Sequence, residues 1–413
     1  GILLISRVIN AFTDPIVGAL ADRTPTRWGN YRPWVLFTAV PMATALILCF
    51  TAPALGPTGK LVWTVMTYNV LMMTYAANNI PYCALSGVMT DDSQERTSLA
   101  SWRFVCAMLA ALIVSMFTSV LVKYFGQGNA ALGYQVTMAV WSSLAVAMFL
   151  VTFTFTKERI APSPNQRSSV RQDLVDLSHN GPWIALFSLA VLIYVELALR
   201  GGTLLYYFEH YLQSKNVFGW VDNFGLFNGI GLTFAIVGVA MSKSLVVRFG
   251  KRATFLFCLL LSSVFMALFA IVPPNSFAAL VVLQMLLQLS FGPTIPILWA
   301  MMADVVDYSE WRTGRRSTAL AFASIVFGLK IGSGIGGWLN GQLLELFGYS
   351  ATGPLGMSAT RGIVMLVSII PAIALLFGAS VLLFYHLDDK LIDQIEQALK
   401  ARRSDPELTA SQT

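Results

Sequence analysis

The chain has 413 residues, of which 56% are hydrophobic and 12% charged, and its mean hydropathy is +0.67. Soluble domains are about one quarter charged, so this composition excludes an ordinary soluble globule. A net charge of +6 would suit a nucleic-acid partner, but the placement of the charges excludes that reading as well.

Apolar runs near 20 residues recur along the whole length, each long enough to cross a bilayer. They predict eleven spans, at 1–21, 34–55, 61–88, 99–122, 130–155, 183–211, 221–246, 254–273, 276–303, 317–347 and 361–385. When the loops are assigned alternately to the two sides, nineteen of the 27 Lys and Arg residues fall on one side and four on the other. The remaining four, Arg7, Arg103, Arg200 and Lys330, fall within spans. The rich side is cytoplasmic by the positive-inside rule. The basic charge is therefore an orientation signal, and it places the C-terminus in the cytoplasm.

The opening span carries Arg7, Asn10 and Asp14 on one helical face. An ionisable group at mid-bilayer costs about 2.5 kcal/mol or more, so this face must look into a bundle interior or a wet cavity. Asp14 is expected to be a functional group, against the alternative of a structural ion pair with Arg7 or Lys330. Gly18 to Arg32 is echoed by Gly238 to Arg252, the Gly and Arg fourteen positions apart in each and the two stretches 220 apart. Two homologous halves follow: a bundle over 1–155 and a second over 183–385, joined by a polar linker at 156–182 and followed by a tail at 386–413. A whole span precedes Gly238 within its half, but only its own helix precedes Gly18, so one N-terminal helix is expected to be absent from this chain. In the tail, Leu391, Ile392, Ile395 and Leu399 have amphipathic helical spacing.

Cys49, Cys83, Cys106 and Cys258 lie inside apolar runs without metal-ligand spacing, and read as packing residues. His179, His210 and His386 form no catalytic or zinc arrangement. No metal, cofactor or enzyme activity is expected.

Several stretches together resemble one family. Arg7-Val-Ile-Asn10-Ala-Phe-Thr13-Asp14-Pro15, followed by Arg27-Trp28-Gly29-Asn30-Tyr31-Arg32-Pro33, is similar to the glycoside–pentoside–hexuronide:cation symporters of the major facilitator superfamily. Melibiose permease is the best-known member. Asn78-Asn79-Ile80-Pro81-Tyr82, the run from Ala303 through Asp304 and Asp307 to Trp311, and Lys330-Ile-Gly332-Ser-Gly334 agree with it. Some wording is most similar to a xyloside permease branch.

The resemblance implies an all-helical membrane fold of two six-helix repeats and import of a glycoside, pentoside or hexuronide by alternating access. It carries the cation site onto Asp14, Asn10 and Thr13. Asn10 replaces a second family aspartate, and Thr13 replaces an asparagine ligand. A lone carboxylate can take a proton without the cage of hard oxygens that sodium wants, so H+ is favoured over Na+. Sugar contacts map to Tyr75, Asn79, Arg103 and Lys330, with Trp299 one turn beyond a family tryptophan position. Glu196 and Arg200, four apart, are either a self-neutralised pair or further sugar contacts. Asp22, Arg23, Arg27, Asp304, Asp307, Arg315 and Arg316 are expected to form a charge network latching the outward-facing state, the alternative being solvated loop charge. The partners are a sugar, H+ or Na+ and the lipid bilayer, with no nucleic acid. The chain is taken as a monomer in a bacterial inner membrane. A drug or lipid carrier of the same superfamily is the alternative, and a membrane enzyme or receptor a remoter one.

Overall fold

A computed structural model describes residues 13–160, 170–212, 223–349 and 356–404. Asn10 and Arg7 lie outside the described residues. Among these residues the regular structure is helical, apart from one isolated bridge between Thr26 and Gly29. Helix α1 covers residues 13–22. It is followed by α2 (Arg32–Cys49), α3 (Pro57–Ser86), α4 (Ser93–Gly126) and α5 (Ala130–Phe155). A short α6 (Val170–Ser178) precedes α7 (Gly181–Tyr206), which runs on as one π-turn over Tyr207–Tyr211. Then come α8 (Asn223–Phe249), α9 (Lys251–Leu268), α10 (Phe277–Phe291) and α11 (Thr294–Thr313). The last four are α12 (Thr318–Leu346), α13 (Met357–Val367), α14 (Ile369–Leu382) and α15 (Asp389–Ser404).

Nine segments among the described residues are long and apolar enough to cross a membrane. Helix α3 is long enough, at 30 residues, but Asn69, Asn78 and Asn79 dilute its apolar character. Two expected spans differ from the structure. The run at 276–303 breaks at Gly292-Pro293, because proline cannot continue the ladder of hydrogen bonds, and it restarts as α11, which extends to Thr313. Asp304 and Asp307 therefore sit inside a helix rather than in a loop. The run at 361–385 breaks at Ser368 into α13 and α14. The helix starts follow local chemistry. The Asn129 side chain accepts from Leu132 N at 3.2 Å, and the Asn180 side chain from Trp183 N at 3.1 Å. Each satisfies an amide that the helix itself leaves orphaned.

The described residues form two compact units. The first draws on Gly1–Asp92, Cys106–Val175 and Arg312–Phe327, and the second on Ser93–Val105, Asp176–Trp311 and Gly328–Thr413. So the first turns of α4 belong to the second unit, and the first turns of α12 to the first. In the first unit, α2 packs against α3 and α5. Its core holds Ala21, Tyr31, Ala76, Ile80, Leu85, Ala319 and Ala323. Small residues let the helices close in: a Cβ at Gly18 would sit 2.7 Å from Ala323 Cβ and 2.8 Å from the Ala319 carbonyl. In the second unit, α14 packs on α7 and α9, and α10 on α8 and α9. Phe227, Phe255, Leu259 and Phe269 are fully buried there. Helix α15 buries Ile392, Ile395 and Leu399.

Candidate functional site

In the first unit, α1 places Asp14 in a fully buried position (0% exposed) with Thr13 half-buried beside it. Two turns on, the Asp22 carboxylate accepts from the amides of Ala319 (2.8 Å) and Leu320 (2.9 Å) and from the Tyr31 hydroxyl (2.6 Å). Those amides are the first turn of α12, where orphaned donors and the helix dipole favour an anion. Tyr31 lies outside the spans, and its hydroxyl is held well above the ordinary tyrosine range by burial and then by the Asp22 charge. It therefore stays protonated and donates. The buried Arg316 Nη2 donates to the Gly87 carbonyl at 3.2 Å.

Glu158, after α5, accepts from three successive amides: Asn30 (2.8 Å), Tyr31 (2.7 Å) and Arg32 (2.9 Å). The start of α2 has no side-chain cap of its own, so Glu158 supplies one. Glu158→Gln replaces one acceptor oxygen by a donor facing these amides. It is expected to cost about 1–3 kcal/mol, read as a lower melting temperature in detergent. An unchanged melt would remove this role.

In the second unit, α4 offers Ser93 and Arg96 one turn apart, α9 offers Lys251, and α11 offers Asp304 and Asp307. Lys251 Nζ lies 2.5 Å from Asp304 Oδ2 and also contacts Ser93 Oγ. Ser93 Oγ donates to Asp304 Oδ1 at 3.0 Å. Arg96 pairs with Asp307 and reaches Asp304 at 3.4 Å. The side chains of Arg96 and Asp304 are 2% and 0% exposed. Two carboxylates and two cations are thus buried as a neutral set. From α15, Glu396 Oε1 accepts Ser93 N at 2.7 Å. Tyr385, beyond α14, is fully buried and its hydroxyl is pushed well above its usual range by burial and then by Asp304 and Asp389.

The seven residues expected to form a charge network differ in their surroundings. Asp22 binds helix amides, Arg316 binds a carbonyl, and Asp304 and Asp307 are buried pairs rather than solvated charge. Arg23 and Arg27 are exposed, Arg23 donating to its own helix at Ala19 O (3.2 Å) and Arg27 lying 4.5 Å over the Trp28 ring. Arg315 is half-buried. Sequence reasoning missed Ser93, Arg96, Lys251, Glu158 and Glu396. The internal repeat held the signal for one of them, because Lys251 follows Tyr31 by the repeat distance of 220 residues. At the same offset Ser242 answers Asp22, and Ser242 Oγ lies 2.6 Å from Ser101 Oγ of α4. Each repeat motif thus grips the start of a helix from the opposite half of the sequence.

Of the expected sugar contacts, Arg103 lies 4.8 Å over the Phe104 ring and 4.9 Å over the Trp299 ring, within cation–π range. Asn79 and Lys330 are half-buried and Tyr75 is 44% exposed. Its neighbour Asn78 is structural, its Nδ2 donating to Val35 O (3.2 Å) and Thr38 Oγ1 (2.9 Å) on α2. Glu196 and Arg200 are enclosed on α7, at 2% and 8% exposed. They do not form the direct pair that their spacing allows. Arg200 Nη2 donates instead to Gln284 Oε1 of α10 at 2.9 Å.

The comparisons agree with this architecture. The sequence pattern of the family described as MFS/sugar transport protein matches residues 1–389, and the chain belongs to that family. It is 36% identical to the inner membrane symporter YicJ of Escherichia coli strain K12, over 93% of this chain and 82% of that one. It is 30% identical to the isoprimeverose transporter of Lactiplantibacillus pentosus, over 96% and 83%. In fold it is similar to the E. coli fucose:proton symporter FucP, with a TM-score of 0.65 at 14% identity over 94% of each chain. The protein is a membrane-spanning sugar transporter of the major facilitator superfamily.

Proposed function

We propose that the chain imports a glycoside, pentoside or hexuronide together with a proton, and that Asp14 is the group that takes the proton. The observation that carries this is the complete burial of Asp14 on α1 in a member of a sugar-transport family. Two of its relatives are named as a symporter and as an isoprimeverose transporter. An enclosed carboxylate favours its neutral form unless its charge is matched. Sodium would need a cage of hard oxygens, whereas a single carboxylate can take a proton by itself. Sugar contacts are assigned to Tyr75, Asn79, Arg103, Trp299 and Lys330. Asn79 can donate and accept, which suits sugar hydroxyls. The basic loops orient the carrier with its C-terminus in the cytoplasm of a bacterial inner membrane.

Alternating access requires two sets of contacts to come apart. Asp22 must leave the first turn of α12, and Ser93 and Arg96 must leave Asp304, Asp307 and Lys251. Reconstituted carrier is tested by an inward pH jump with and without sodium, after a thermal-shift screen of pentosides, hexosides and hexuronides has found the sugar. Accumulation should follow the pH jump and ignore sodium. Uptake that requires sodium at constant pH overturns proton coupling.

A further inference from the structure

We propose that Glu196 is a second proton-binding group of this carrier, and that its protonation is tied to which partner holds the Arg200 guanidinium. Glu196 sits on α7, away from the α1 face that carries Asp14. It is 2% exposed, and its Oε2 meets no hydrogen-bond donor among the described residues. An ionised carboxylate buried without a donor costs several kcal/mol. The one helical neighbour able to neutralise it directly, Arg200, is turned elsewhere. Arg200 Nη2 is held by Gln284 Oε1 of α10, its guanidinium carbon lies 4.9 Å over the Phe269 ring, and its Nε is also without a partner. A cation committed to a neutral amide, one turn from a carboxyl that no donor satisfies, fits a carboxyl that carries its own proton.

The elements packed on this stretch offer little else. Helix α12 brings Gly336, where a Cβ would lie 2.6 Å from the Val195 carbonyl. It also brings Asn340, whose Nδ2 is committed to Leu199 O (2.6 Å) and Thr203 Oγ1 (2.8 Å). Lys330 of α12 precedes Gly332, which abuts Val191 and Tyr194 nearer the start of α7. Tyr207 of the π-turn acts on Arg200 rather than on Glu196. Helices α13 and α14 bury Ile363, Leu366, Ala372 and Leu375, which carry no charge, and the one charged residue of α13, Arg361, is exposed. Arg200 is the charged group that acts on Glu196.

On proton loss, the Glu196 anion would draw Arg200 back along α7 and release Gln284. The exchange breaks one O–H bond, delivers the proton to water, and replaces an amide–guanidinium bond between α7 and α10 by an ion pair within α7. The inference rests on the reading of the chain as a cation-coupled carrier, but not on Asp14 being the coupling group.

The test is pH-difference infrared spectroscopy of the purified chain in lipid, reading the carbonyl stretch of protonated carboxyl groups. Glu196→Gln should delete one such band while the chain keeps its cooperative melting transition. Asp14→Asn should delete a different band, so the two assignments fail separately. A spectrum unchanged by Glu196→Gln at every pH overturns the proposal. In Gln284→Leu, the freed guanidinium should turn to Glu196, and the Glu196 band should be lost about one pH unit or more lower than in the unmodified chain. This variant leaves the carboxyl in place and so reads the coupling even if Glu196→Gln folds poorly. An unmoved midpoint overturns the link to Arg200.

Discussion

Asp14→Asn in proteoliposomes is expected to abolish proton-driven sugar accumulation while sugar exchange across the membrane continues. The side chain is fully enclosed, and an ionised acid inside a membrane bundle costs about 2.5 kcal/mol or more unless its charge is matched. That cost holds an occluded, ionised carrier to on the order of one per cent of its neutral form. On the proposed coupling, a sugar-loaded but still ionised carrier crosses poorly, and proton binding releases it. An asparagine is neutral at every pH, so the variant rearranges whether or not a proton is present. Sugar then equilibrates but does not concentrate. Counterflow measured beside pH-driven uptake separates the two: lost uptake with counterflow intact is the expected pair. Retained accumulation would remove Asp14 from the coupling step, and loss of both activities would make it a structural residue.

The second large effect is expected at Asp304. Asp304→Asn leaves Lys251 and Arg96 in the interior with one carboxylate between them, that of Asp307. Breaking a buried pair by removing one partner costs about 3–5 kcal/mol. The penalty is mostly the uncompensated cation rather than the lost bond. Adding Lys251→Met should therefore recover most of the loss, since Arg96 and Asp307 still neutralise each other. Melting temperatures of the two single variants and the double variant form the cycle. If the double variant is as unstable as the sum of the singles, Asp304 and Lys251 are not an energetic pair, and the neutral-set reading fails. Arg96→Lys would not substitute freely, because the guanidinium reaches Asp304 and Asp307 together, and a lysine presents one point charge.

Much of this protein was legible from the order of its residues. Composition and apolar run length alone require a helical membrane protein, because only internally hydrogen-bonded helices or closed barrels survive in lipid. The spacing of Gly18 to Arg32 and Gly238 to Arg252 exposes the two-fold plan. The isolation of Asp14 in an apolar segment marks it as enclosed, and the structure buries it. What the order of residues could not decide was which partner each buried charge takes. Glu196 and Arg200 have ideal helical spacing for a pair, yet Gln284 competes from 84 residues away. Asp22 accepts from two amides 297 and 298 residues on, contacts that no spacing in the sequence announces. Asn78 and Asn79 are chemically identical neighbours, but the 3.6-residue turn points only Asn78 at α2. Lys251 and Arg96 fall between the expected spans, and only folding brings α4, α9 and α11 around them. Burial and periodicity are local properties of the chain. Charge pairing in a low-dielectric interior goes to whichever donor folding brings within about 3 Å, and that choice exists only once the helices are packed.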